Sequence, residues 1–134
     1  MKNTITAFLL AVAAGTAFAA PAQQLACHYT YGGETKSLFQ PRLASVPDAY
    51  RVAPTAIGSY FLFRPVFEPG MVKLYTYADH PDGPVLVHQA SYPLAEAMEA
   101  HGRPGFTGMQ RVYEPIRDSE LRYWCEIQPA EEQP

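Results

Sequence analysis

Charge is scarce in this sequence. Asp, Glu, Lys and Arg make up 17% of the 134 residues, and the formal net charge is −3. Nucleic acids and anionic membranes attract proteins with basic patches, and this chain has no run of lysine or arginine. We therefore expect neither nucleic acid nor an anionic membrane surface among its partners.

Motifs of common enzyme and metal-binding classes are also missing. The chain has no G-x-S-x-G, no glycine-rich phosphate loop and no C-x-x-C pair. The segment with Asp79, His80 and Asp82 lacks the spacing of a calcium loop. The prolines and Gly83 in the same segment are typical of a turn. The four histidines and four methionines form no paired or repeated copper motif. The sequence therefore predicts a non-enzymatic protein without cofactor or metal.

Long hydrophobic runs are confined to the beginning of the chain. Lys2 precedes an apolar run over residues 5–14, and a sequence Ala-Phe-Ala ends at Ala19. This is the pattern of a secretory signal peptide with an A-x-A cleavage site, since the run is shorter than the ~20 residues of a transmembrane helix. We expect cleavage after Ala19, with an alternative cut before Gln23, and a periplasmic or secreted protein whose mature chain contains no membrane span.

The two cysteines, Cys27 and Cys125, lie near the two ends of the mature chain. Exported proteins meet an oxidising compartment, so we expect a disulfide bond between them. The residues flanking each cysteine alternate in polarity, which places both sulfur atoms on the apolar faces of strands. For a loop of about 100 residues the chain-entropy account predicts about 4.7 kcal/mol of stabilisation.

Alternating polar and apolar residues, separated by glycine and proline turns, predict strands over most of the mature chain. These strands cover residues 26–31, 35–39, 50–53, 58–67, 71–78, 85–92, 109–114 and 120–128. The fold class is therefore mainly β: a small antiparallel β-sandwich or barrel of about seven or eight strands with one short helix, disulfide-linked near both ends. This single domain is expected to span residues 20–128, followed by a disordered tail over residues 129–134.

The helix signal covers residues 93–101. Pro93 stands at the first position, and Gly102 follows the end of the pattern. Leu94, Ala97 and Met98 share one side of this helix, and we expect all three to pack against the core.

The most apolar and aromatic part of the chain is the hairpin of residues 58–78, with its turn at Glu68-Pro69-Gly70. Because side chains alternate along a strand, each strand has two faces. In the first strand, Phe61, Phe63 and Phe67 alternate with Tyr60, Leu62 and Val66; in the second, Val72, Leu74 and Thr76 alternate with Lys73, Tyr75 and Tyr77. Lysine is almost never fully buried without a partner, so the face that carries Lys73 is expected to reach solvent.

An aromatic face in solvent is typical of a contact surface. We expect the binding residues to be Tyr75, Tyr77, Lys73, Tyr60 and Trp124. The alternative is that the helix covers this face and the tyrosines belong to the core.

The sequence thus predicts an exported, non-enzymatic binding module, either protein-binding or inhibitor-like, whose partner is another envelope or extracellular protein. Two alternatives stay open: a binder of a small ligand or saccharide on the aromatic surface, and a hydrolase whose site no motif marks. A flat patch of aromatic residues and arginine would favour the first function. A concave aromatic pocket would favour the second, and a histidine or carboxylate pair in a cleft the third.

Overall fold

The computed structural model describes residues 14–15 and 22–130. The predicted signal peptide, apart from residues 14 and 15, and residues 131–134 lie outside this part of the chain. Within it, no helix is long and apolar enough to cross a membrane. The last strand runs to Pro129, so the sheet extends one residue into the segment predicted as a tail.

Eight strands and two short helices form the described part of the chain. In order they are β1 (Gln23–Tyr31), β2 (Glu34–Pro41), a 3₁₀ helix (Val46–Arg51), β3 (Thr55–Ile57), β4 (Phe61–Phe67), β5 (Met71–His80), β6 (Gly83–Pro93), α1 (Leu94–Glu99), β7 (Gln110–Tyr113) and β8 (Glu120–Pro129).

The strands form two antiparallel four-stranded sheets that pack together as a sandwich. The first sheet has the order β2-β1-β8-β7 and the second the order β3-β4-β5-β6. Their inner faces meet in one hydrophobic core, where the rings of Phe63 and Tyr123 from opposite sheets lie 4.9 Å apart between centroids. Burial raises the pKa of the Tyr123 phenol above its usual range. The predicted mainly β class is confirmed.

The β1–β2 hairpin follows from its two glycines. Gly32 and Gly33 both have positive φ, 59° and 82°. A two-residue turn that matches the twist of the strands requires positive φ at both positions, and glycine adopts it at little cost. The turn sets the register, with Tyr31 opposite Glu34 and His28 opposite Ser37. The hairpin predicted from Gly32-Gly33-Glu34 is therefore confirmed, with Glu34 as the first residue of β2.

The predicted disulfide is confirmed at the centre of the first sheet. Cys27 and Cys125 are directly opposite each other in the β1–β8 ladder, with their Cα atoms 4.1 Å apart. Both side chains are fully buried in the core.

A strand predicted over residues 50–53 is wrong, because this segment contains the 3₁₀ helix instead. Pro47 fixes φ at a helical value in the first turn, and the Ser45 hydroxyl donates a hydrogen bond of 2.9 Å to Asp48. Both effects favour a helical turn over an extended strand, and the next strand begins only at Thr55.

The helix α1 is shorter than predicted and ends at Glu99 rather than at residue 101. Ala97 is fully buried and Leu94 packs against the core, but 42% of Met98 is exposed. The prediction that Met98 belongs to the core is therefore wrong. The helix packs through Ala97, its only fully buried residue, and Met98 lies about 100° from Ala97 around the helix axis, beyond the narrow stripe that so short a helix buries.

We predict that replacing both Cys27 and Cys125 with alanine lowers the free energy of unfolding by about 2–5 kcal/mol, because the disulfide closes a loop of nearly the whole domain. Chemical denaturation with and without reductant measures this loss. In wild type the reductant should cause a similar loss, whereas the double variant should not respond to it. Equal stability of wild type and the double variant in the absence of reductant would contradict the prediction.

Candidate functional site

The outward side of the second sheet carries the predicted tyrosines. On β5, Val72, Leu74, Thr76 and Ala78 are buried in the core, so Lys73, Tyr75 and Tyr77 point outwards, as the sequence predicts. The sheet register brings neighbours from β4 and β6 beside them. We call this surface the tyrosine face; its residues are Leu62, Arg64, Lys73, Tyr75, Tyr77, Leu86 and Gln89.

The two tyrosine rings are parallel and half-buried. Their centroids are 6.5 Å apart with 15° between the ring planes, and the Arg64 guanidinium lies 4.2 Å above the Tyr75 ring. Leu86, opposite Tyr77 in the register, is 51% exposed. Helix α1 packs against the core by Leu94 and Ala97 instead of covering these rings. The tyrosine face is therefore accessible at Tyr75 and Tyr77.

The 3₁₀ helix covers the other end of the same sheet surface. Val66 alternates outwards, like Leu62 and Arg64, yet it is 1% exposed because the 3₁₀ helix segment lies over it. The Arg64 guanidinium donates a hydrogen bond of 3.1 Å to the carbonyl oxygen of Ala49 in that helix. A cleft of about 100 Å³ lies between the helix and the sheet, lined by Val46, Ala49, Tyr50, Arg64, Val66, Glu68, Lys73 and Tyr75.

An ion pair lies at one side of this cleft. The Lys73 ammonium is 3.0 Å from the carboxylate of Glu68, which is 6% exposed. The hydrogen bond from Lys73 to Glu68 raises the pKa of the lysine above its usual value, against the smaller opposing effect of burial. Lys73 therefore stays charged at neutral pH and compensates the buried carboxylate.

The structure does not bring the other two predicted binding residues to this site. Tyr60 packs against the core at one end of the sandwich, where the Arg117 guanidinium lies 4.3 Å from its ring centroid. Trp124 lies on the outward side of the first sheet, because its neighbours Tyr123 and Cys125 face the core. Of the five predicted residues, only Lys73, Tyr75 and Tyr77 share a surface.

A chain of hydrogen bonds crosses the outward side of the first sheet. His28 Nε2 is 3.0 Å from Glu126 Oε2, and His28 Nδ1 is 2.7 Å from Ser37 Oγ. An ionised carboxylate can only accept, so Nε2 donates to Glu126; in the neutral imidazole Nδ1 then accepts the hydrogen bond that Ser37 donates. The Trp124 ring packs on the imidazole, with 4.3 Å between ring centroids.

No sequence motif marks the Ser37–His28–Glu126 chain, although the strand register could have revealed it. A two-residue turn at Gly32-Gly33 places residue 28 opposite residue 37, and a disulfide between paired cysteines places residue 28 opposite residue 124. Among the described residues, no group of three or more His, Cys, Asp or Glu side chains could hold a metal ion.

Comparison of the chain with protein-family models, with curated proteins and with solved structures finds no match. The function proposed for this chain therefore rests on the geometry of its two outer sheet surfaces.

We predict that the stabilising effect of the Lys73–Glu68 pair is present throughout neutral and mildly basic pH and disappears in strong base. The folded pKa of Lys73 lies above its unfolded value of about 10.4, so the contribution is complete below that value and is lost as pH rises through the folded pKa.

The measurement is the melting temperature of wild type and of Lys73→Met against pH. The variant should melt several degrees lower near neutral pH, because it leaves Glu68 buried without its partner. The difference should narrow above about pH 10.4. A difference that stays constant across that range would contradict the assignment.

Proposed function

We propose that this chain is an exported, non-enzymatic module that binds another protein through the tyrosine face. The observation that carries the proposal is the parallel, half-buried pair Tyr75 and Tyr77 on an accessible sheet surface, with Arg64 on one side and exposed Leu86 on the other. Tyrosine and arginine are the side chains enriched in the energetic centres of protein interfaces.

The shape of this surface favours a protein partner over a saccharide or other small ligand. Small-molecule pockets commonly enclose about 300–1,000 Å³, whereas the cleft beside Tyr75 measures about 100 Å³. The tyrosine rings lie side by side along a strand; Tyr75 borders the small cleft, and Tyr77 is not part of its lining. Rings that protrude little from a rigid sheet lose little entropy when a partner covers them.

Export to the periplasm or the medium is part of the same proposal. A buried disulfide is stable in an oxidising compartment and rare in reducing ones. The amino-terminal pattern of Lys2, an apolar run and Ala-Phe-Ala supports a cleaved secretory signal.

We predict that replacing Tyr75 and Tyr77 together with alanine abolishes capture of the partner from an envelope extract and largely preserves the fold. Loss of two half-buried aromatic side chains from an interface centre commonly weakens binding by at least about 2 kcal/mol each. The matched control is Tyr113→Ala, since Tyr113 is 55% exposed on β7 of the other sheet.

The control variant should capture the partner as wild type does. The proposal fails if the double variant still captures the partner. It also fails if wild type and the double variant capture the same set of proteins. Circular dichroism and thermal melting establish that the double variant is folded.

The Ser37–His28–Glu126 chain favours a second candidate function, hydrolysis of an ester. Its order of serine, histidine and carboxylate is that of a catalytic triad. The Ser37 oxygen would attack the ester carbonyl carbon while its proton passes to His28 Nδ1. That proton would then leave with the alcohol, and water would release the acid from Ser37 by the reverse route. Glu126 would stabilise the imidazolium ion at Nε2.

The second candidate predicts that the purified domain hydrolyses nitrophenyl acetate and is labelled at Ser37 by a fluorophosphonate. Ser37→Ala should remove both reactions, and His28→Gln should lower the rate by roughly 10²–10⁴, the range that general-base catalysis supplies. Thr35→Ala, two residues along the same strand, is the control. Hydrolysis that persists in Ser37→Ala, or absence of labelling in wild type, would rule out this function.

A further inference from the structure

The cleft beside the tyrosine face has an excess of positive charge. It contains two cations, Arg64 and Lys73, and one carboxylate, Glu68, which is paired with Lys73. Among the described residues, Arg64 has no carboxylate within 4 Å. The guanidinium is therefore the group in the cleft whose charge is not compensated.

Arg64 is also held in place. Its Nη1 donates to the Ala49 carbonyl oxygen at 3.1 Å, and its plane lies over the Tyr75 ring at 4.2 Å. A guanidinium has five N–H donors, and this arrangement uses one of them on the protein. Since the side chain is already ordered, a ligand that binds to the remaining donors loses less entropy in doing so.

The surroundings of Arg64 strengthen any interaction with an anion. Val46, Ala49 and Val66 form an apolar wall, which lowers the local dielectric, and Tyr50 stands at the rim with 90% of its surface exposed. Tyr50 and Tyr75 both line the cleft, and the Tyr75 ring lies directly beside the guanidinium. A volume of about 100 Å³ accommodates one short acidic side chain.

From this geometry we infer that the cleft receives the carboxylate of a glutamate or aspartate side chain on the surface of the partner protein, with Arg64 as its ligand. The inference rests on the proposed function and names the chemistry of the partner: an acidic residue next to an apolar patch, which would cover Tyr75, Tyr77 and Leu86. Arginine suits this task because its N–H groups can pair with both oxygens of one carboxylate.

The experiment uses blocked amino acids as probes on the mature domain. Amide and guanidinium NMR resonances are followed during titration with N-acetyl-glutamate N-methylamide and with its glutamine equivalent. We expect saturable shifts at Arg64, Tyr75 and Ala49 with the glutamate probe, and binding about tenfold weaker with the glutamine probe, because the amide lacks the charge. Methyl glucuronide, the same carboxylate on a sugar, should bind more weakly than the glutamate probe.

Two substitutions of Arg64 and one control variant test the assignment to Arg64. Arg64→Gln should lose the preference for glutamate over glutamine, whereas Arg111→Gln, an exposed arginine on the first sheet, should keep it. Arg64→Lys retains the charge without the planar donor group and should keep only part of the preference. The melting temperature of each Arg64 variant shows whether the fold is retained, so that a lost preference can be attributed to the lost donor group.

The outcomes separate this inference from the proposed function. Equal shifts with both blocked probes, or a preference that survives Arg64→Gln, overturn the carboxylate site even if the Tyr75 and Tyr77 double variant loses its partner. Tighter binding of methyl glucuronide than of blocked glutamate overturns the protein class of the occupant. A third outcome is that the domain prefers glutamate while the Tyr75 and Tyr77 double variant still captures the partner. This result supports the carboxylate site in the cleft and overturns the tyrosine face as the binding surface.

Discussion

The pairing of β1 with β8, closed by the Cys27–Cys125 disulfide, is the constraint on which the rest of this structure depends. It joins strands from the two ends of the domain, which are 98 residues apart at the bridge, and makes them the centre of the first sheet. The edge strands β2 and β7 then attach to this pair through short connections. A contact between such distant residues is entropically costly to form, and the disulfide offsets this cost because it lowers the conformational entropy of the unfolded chain.

The second sheet packs one of its two sides against the first sheet, and that side forms its half of the core. Phe61, Phe63 and Leu74 fill the space opposite Cys27 and Tyr123, and the strand alternation then directs Tyr75 and Tyr77 outwards. The phenylalanines beneath the tyrosine face are fully buried and closely packed, so the outward rings are supported by a rigid layer. The tyrosine face and the core are two sides of the same hairpin.

The two outer surfaces differ in how completely their polar groups are paired. On the first sheet both nitrogens of the His28 ring have protein partners, and Trp124 covers one side of the ring. On the second sheet Arg64 is ordered by Ala49 and Tyr75, and no carboxylate in residues 22–130 pairs with it. Groups that already satisfy each other stabilise a strand pair, whereas an ordered cation with free donors attracts an anion. For this reason we propose the second sheet as the binding surface.

The sequence alone determined the features that depend on local periodicity and on particular residue types. Alternation along β5 predicted that Lys73, Tyr75 and Tyr77 share a face, the glycines at 32 and 33 predicted the hairpin turn, and two cysteines on apolar strand faces predicted the disulfide. Tertiary packing decided the rest. The 3₁₀ helix covers Val66 and forms the cleft at Arg64 because segments distant in the chain meet there, and Trp124 belongs to the opposite sheet because β8 pairs with β1. Met98 remained exposed for the same reason: which residues of a short helix are buried depends on the surface it meets, and its own sequence pattern does not contain that surface.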